Sequence, residues 1–146
     1  MKKFSFIKFL VFLLILTNCS GTPDNSTSVV LNLTNETFKQ KIFNYEKNKE
    51  WKFKGDKPVI IDFYANWCAP CRRLSPLVEE IAKEYNGKIE FYKVNTDSEQ
   101  ELSSNMGITG LPTLLFIPLK GQPQITTGLL TKEMLLKVIS EVLIIK

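Results

Sequence analysis

The most constraining stretch of the chain is Val59-Ile60-Ile61-Asp62-Phe63-Tyr64, which runs through Ala65-Asn66-Trp67 into Cys68-Ala69-Pro70-Cys71. Such a nearly continuous apolar run reads as a strand buried on both faces. A strand of that kind needs helices above and below its sheet, which points to an α/β fold. Asp62 is the one charge in the run, and its apolar neighbours argue for burial rather than an edge position. Beyond the cysteines, Leu74, Leu77, Val78, Ile81 and Tyr85 recur on one helical stripe, so the cysteines stand at a strand-to-helix junction. Two intervening residues let both sulfurs meet across the first helical turn. At a helix N-terminus, unpaired N–H groups and the macrodipole favour an anion, which lowers a thiol pKa and yields the reactive thiolate. Pro70 removes a donor where a helix start has no need of one.

The rest of the chain supplies the partners of this unit. Val29 to Leu33 reads as a short strand, and Thr34 and Asn35 as caps of a helix with Phe38, Ile42 and Tyr45 on one face. Residues 46–56 are charged and irregular, with Trp51 and Phe53 as packing residues. Pro76 lies inside the long helix and should kink it, and Gly87 ends it. Ile89 to Asn95 reads as a strand, and Asp97 or Ser98 as the cap of a short helix reaching about Asn105. Thr113 to Ile117 and Gln124 to Thr127 read as strands around a turn at Lys120-Gly121. A last helix from Thr131 turns Leu135, Val138, Ile139 and Val142 inward. The order β-α-β-α-β-α-β-β-α predicts a central mixed sheet, a parallel βαβ half plus a C-terminal hairpin, flanked by helices on both faces. No internal repeat is visible.

Charge and cysteine count narrow the chemistry. Three of the 19 basic residues, Lys2, Lys3 and Lys8, lie in the first 18 positions, which hold no acid, so a formal charge of +4 falls to about +1 for the remainder. That gives no electrostatic case for nucleic acid. The chain has no histidine, which excludes a Cys-His pair, a Ser-His-Asp triad and a His-ligated metal. Its three cysteines cannot build a disulfide framework, and a structural zinc site wants four ligands, so no metal is expected. A static disulfide closing so small a loop would stabilise little.

The N-terminus reads as an address. Lys2 and Lys3 precede an apolar run from Phe9 to Leu16, too short for a membrane span of roughly 20 residues but suited to a signal peptide over 1–18. Leu16-Thr17-Asn18-Cys19 resembles the lipobox of bacterial lipoproteins, with Asn18 where that family has Gly, Ala or Ser. The resemblance implies lipidation of Cys19. Residues 19–28 then form a polar tether from the lipidated Cys to a domain over 29–146.

The strand-turn-helix unit, from Asp62 to Cys71, resembles the active site of the thioredoxin family. Gly110-Leu111-Pro112-Thr113 resembles that family's cis-proline loop, Lys93 its buried lysine, and Pro76 and Gly128 two further positions. The resemblance covers Val29 to Lys146 and implies the thioredoxin fold and thiol–disulfide exchange on protein disulfides, with no cofactor beyond the dithiol. It implies that Cys68 attacks, Cys71 resolves, Asp62 relays protons and Lys93 tempers its pKa. Pro112 would be cis and, with Leu111, Trp67, Ala69 and Pro70, would shape the substrate surface. Ala69 replaces the family's usual Gly, and Tyr64 stands where Trp is frequent. Arg72 and Arg73 read as a basic helix face or, alternatively, as charges that help Cys68 ionise. The expected setting is the extracytoplasmic, periplasmic face of a bacterial envelope, with a monomer acting as reductase and drawing electrons from a membrane or extracytoplasmic partner. An oxidant that forms disulfides is the rival reading, and a non-catalytic binding scaffold a third.

Overall fold

The computed structural model describes residues 29–143. Its elements are β1 (Val30–Asn32), α1 (Asn35–Lys41), β2 (Val59–Tyr64), α2 (Ala69–Glu84), β3 (Glu90–Asn95), α3 (Gln100–Asn105), β4 (Thr113–Ile117), β5 (Gln124–Thr127) and α4 (Lys132–Val138), which continues as a π-helical turn over Ile139–Leu143. The expected order holds. The signal peptide, Cys19 and the tether lie outside the described residues, as does the end of the chain after Leu143.

The five strands line up as β1-β3-β2-β4-β5. β3 runs parallel to both β1 and β2, whereas β4 runs antiparallel to β2 and to β5. The parallel half and the hairpin therefore meet along β2, at the centre. β2 is buried on both faces, and its alternate residues feed two cores. Ile60 packs with Leu74, Val78, Ile81 and Phe91 from one side, and with Leu135 and Ile139 of the last helix. Val59, Ile61 and Phe63 pack on the other with Phe38, Ile42, Val94 and Leu102. This two-sided burial is what the unbroken apolar run demanded.

The helix signals mostly work as read. Thr34 caps α1 with a reciprocal bond pair to Thr37, and the Thr131 hydroxyl accepts from the Met134 N–H at the start of α4. α1 stops at Lys41, so Ile42 is its cap and Tyr45 lies in the following turn, although Phe38, Ile42 and Tyr45 still face the same core. Residues 46–56 are irregular, with the Trp51 ring tilted against the Phe43 ring at a centroid distance of 4.7 Å. Neither expected cap serves α3. Its cap position is Glu99, with no side-chain cap bond; Ser98 donates back to the Asn95 carbonyl, and Asp97 is committed elsewhere.

Candidate active site

β2 ends at Tyr64, and four residues later the chain enters α2 with Cys68 as its cap. The turn closes with a bond from the Cys68 N–H to the Ala65 carbonyl at 3.1 Å. Cys68 Sγ accepts from the Cys71 N–H at 3.2 Å, so the sulfur occupies the place a capping oxygen would take. Ala69 and Pro70 fill the first two helical positions. Cys68 and Cys71 form a disulfide with a Cα–Cα separation of 5.3 Å. Both are nearly covered, Cys68 at 3% and Cys71 at 1% exposure. Tyr64 and Leu111 pack against the pair and Ala65.

Leu111 arrives from the other half of the sheet. The Leu111–Pro112 bond is cis, as expected. Because β4 runs antiparallel to β2, its first residue, Thr113, pairs with Phe63 and sets this loop beside the disulfide. The loop is braced from β5: the Pro112 carbonyl accepts from the Gly128 N–H at 2.8 Å, and the hydroxyls of Thr113 and Thr127 lie 3.0 Å apart. Gly128 has φ +105, a conformation that suits only glycine.

Asp62 lies within the sheet at 3% exposure and is the register partner of Lys93 on β3. Burial pushes its carboxyl from 3.8 up to about 7, and the nearby Lys93 charge opposes this. Among the described residues, its Oδ1 has no hydrogen-bond partner. A carboxyl poised near neutrality can both take and give a proton. Lys93 is half-buried rather than fully buried, since its long stem can lie along the sheet while the ammonium reaches water. Trp67 is 69% exposed beside the disulfide, and its indole N–H donates to Asp97 Oδ1 at 3.2 Å.

The structure thus places Cys68, Cys71, Asp62, Lys93, Trp67, Ala69, Pro70, Leu111 and Pro112 around one end of the sheet. Asp97 and Thr127 join the site only through the tertiary structure. Asp97 follows Trp67 by thirty positions, and no local spacing links them. Arg72 is visible in the sequence as a charge, but its bond to the Asn66 carbonyl, 3.0 Å, has no sequence signature. Among the described residues, no cluster of three or more His, Cys, Asp or Glu side chains could hold a metal.

Comparison with known proteins decides the family. The thioredoxin family model matches residues 29–141. The chain belongs to the thioredoxin family. A thioredoxin of Borreliella burgdorferi is 51% identical over 105 residues, covering 72% of this chain and 90% of its own length. A thioredoxin of Rickettsia bellii is 34% identical over 106 residues, covering 73% of this chain and 91% of its own. The crystal structure of chloroplastic thioredoxin z superposes with a TM-score of 0.64 at 27% identity, over 77% of this chain and 92% of that one. The fold is the thioredoxin fold, and the activity of this family is thiol–disulfide exchange. With its paired cysteines, this thioredoxin is a thiol–disulfide oxidoreductase. The exchange proceeds by thiolate attack on a disulfide sulfur through a mixed disulfide.

Proposed function

We propose that this thioredoxin is a lipid-anchored reductase of protein disulfides, working at the extracytoplasmic face of a bacterial membrane. The observation that carries the location is Cys19, set where a short apolar run ends and a polar stretch begins. Several buried acyl chains on that residue would hold the domain at the membrane, at ~0.8 kcal/mol per buried CH2. In the exchange, Cys68 is the nucleophile: it caps α2, where the helix favours a thiolate. Cys71 lies one turn deeper and resolves the mixed disulfide. Asp62, held near neutrality by burial, exchanges the proton of Cys71, and Lys93 limits how far its pKa rises. Leu111 and Pro112, with Trp67, Ala69 and Pro70, form the surface that holds an extended substrate segment. The compartment is oxidising, so a membrane or extracytoplasmic partner returns electrons to the pair.

Three measurements test this. Mass spectrometry of the protein from a bacterial membrane fraction should find an acylated N-terminal Cys19; an unmodified Cys19 in a soluble fraction would refute the anchor. The potential of the Cys68–Cys71 couple should lie near the family reference of about −270 mV. A much more oxidising value would favour an oxidant that forms disulfides. A Cys71→Ser variant should accumulate unresolved mixed disulfides with its substrates, and none would form on a mere scaffold.

A further inference from the structure

Three bonds hold the turn that presents Cys68. The Cys68 N–H reaches back to the Ala65 carbonyl, Asp97 holds the Trp67 indole, and Arg72 Nη1 donates to the Asn66 carbonyl at 3.0 Å. The third is unlike the others because it brings a positive charge. Arg72 lies four residues after Cys68 on α2, and its own N–H bonds the Cys68 carbonyl. Helical side chains lean toward the N-terminus, so the guanidinium folds back over the first turn and meets the carbonyl two residues before the cysteine. A freely moving exposed arginine is screened by water and salt. One bonded to the backbone of the turn keeps its charge at a set place.

We propose that Arg72 is a positioning residue that anchors its positive charge over the Cys68 turn and so favours the reduced, thiolate form of the couple. The other charged groups around the cysteines are Arg73 on the same helix, Asp62 on β2, Lys93 on β3 and Asp97 before α3. Arg72 and Arg73 are both exposed, but no bond to the turn is found for Arg73 among the described residues, and Asp62 lies in the sheet. Among these groups, Arg72 is the cation bonded to the turn itself. In exchange with glutathione, the Cys68–Cys71 bond breaks and the glutathione disulfide forms. Two electrons pass to the protein sulfurs. Of the two thiol protons given up, one rests on Cys71 and the other leaves to solvent when Cys68 stays ionised. A fixed cation stabilises that product and leaves the disulfide unaffected.

The test compares full-length wild type, Arg72→Gln, Arg72→Lys and Arg73→Gln in glutathione redox buffers, with the pH profile of alkylation of the reduced proteins. Arg72→Gln should shift the equilibrium constant about threefold toward the disulfide, about 14 mV more reducing at 29.6 mV per tenfold. It should also move the alkylation midpoint to higher pH. Arg72→Lys keeps a charge without the planar fork and should recover less than half of the shift. Arg73→Gln should match wild type. An Arg72→Gln protein with wild-type constant and profile overturns the proposal, whether or not its thermal midpoint has fallen. So does an Arg73→Gln shift of equal size, which would make the effect one of net charge, or full recovery by lysine, which would make the carbonyl bond irrelevant.

Discussion

Replacing Asp62 with asparagine should stabilise the oxidised protein, and by an amount that depends on pH in a stated way. The side chain is 3% exposed and its carboxyl is displaced by burial from 3.8 to about 7. The native state therefore keeps this proton between pH 4 and 7, where the unfolded chain has already released it. Stability from the group is complete below about pH 4 and is lost as pH rises through 7. The whole displacement corresponds to about 4 kcal/mol. An asparagine side chain cannot ionise, so the Asp62→Asn variant escapes the cost. At pH 4 both side chains are neutral and the two proteins should agree within ~1 kcal/mol; by pH 8 the variant should lead by about 4 kcal/mol. Keeping the Cys68–Cys71 disulfide closed removes thiol titration from the comparison. Tyr92, pushed up to about 12 mainly by burial, titrates above the window. Glu133 is held below its ordinary range by a hydrogen bond to the backbone and is common to both proteins. Urea unfolding at pH 4, 5, 6, 7 and 8 reads the difference directly. A gap that stays constant across this range would refute the account of Asp62 as a carboxyl held neutral by burial. If it widened with pH, the same variant should also exchange disulfides more slowly near pH 7, having lost a proton carrier.

Three further outcomes follow from single contacts. Gly128→Ala places a side chain at φ +105 and should cost roughly 1–3 kcal/mol of stability; because Gly128 braces Pro112, insulin reduction should show a raised KM as well. Asp97→Ala frees the exposed Trp67 indole and should change its fluorescence and acrylamide quenching, while stability moves by less than about 1 kcal/mol. Thr34→Ala removes the hydroxyl that accepts from the Thr37 N–H at the α1 cap and should lower stability by about 1 kcal/mol with unchanged exchange kinetics.

Much of this molecule is legible without coordinates. β2 and α2 are visible because their periodicities differ and both are strong: unbroken apolar residues in one, a stripe in the other. Thr34 and Thr131 mark helix starts because a hydroxyl next to an apolar-periodic run has a local job. The α3 cap shows where local reading stops. Asp97 has the right chemistry for a cap, yet an indole thirty residues earlier claims its carboxylate. The cis geometry of Pro112 cannot come from its dipeptide, since most X-Pro bonds are trans; it was legible through the resemblance of Gly110-Leu111-Pro112-Thr113 to a family loop. Arg72 needed the backbone path of the turn, because its acceptor is a carbonyl and carries no side-chain signature.

The register of the sheet sets a polarity on the whole domain. β1, β2 and β3 point the same way, so Val30, Val59 and Glu90 begin at one end, and the disulfide follows Tyr64 at the other. Six residues of strand separate the two ends, about 20 Å. Whatever precedes Val29 joins the domain at the end away from the disulfide. A hold on the chain at that end, such as the proposed anchor, would leave the disulfide at the end turned away from it.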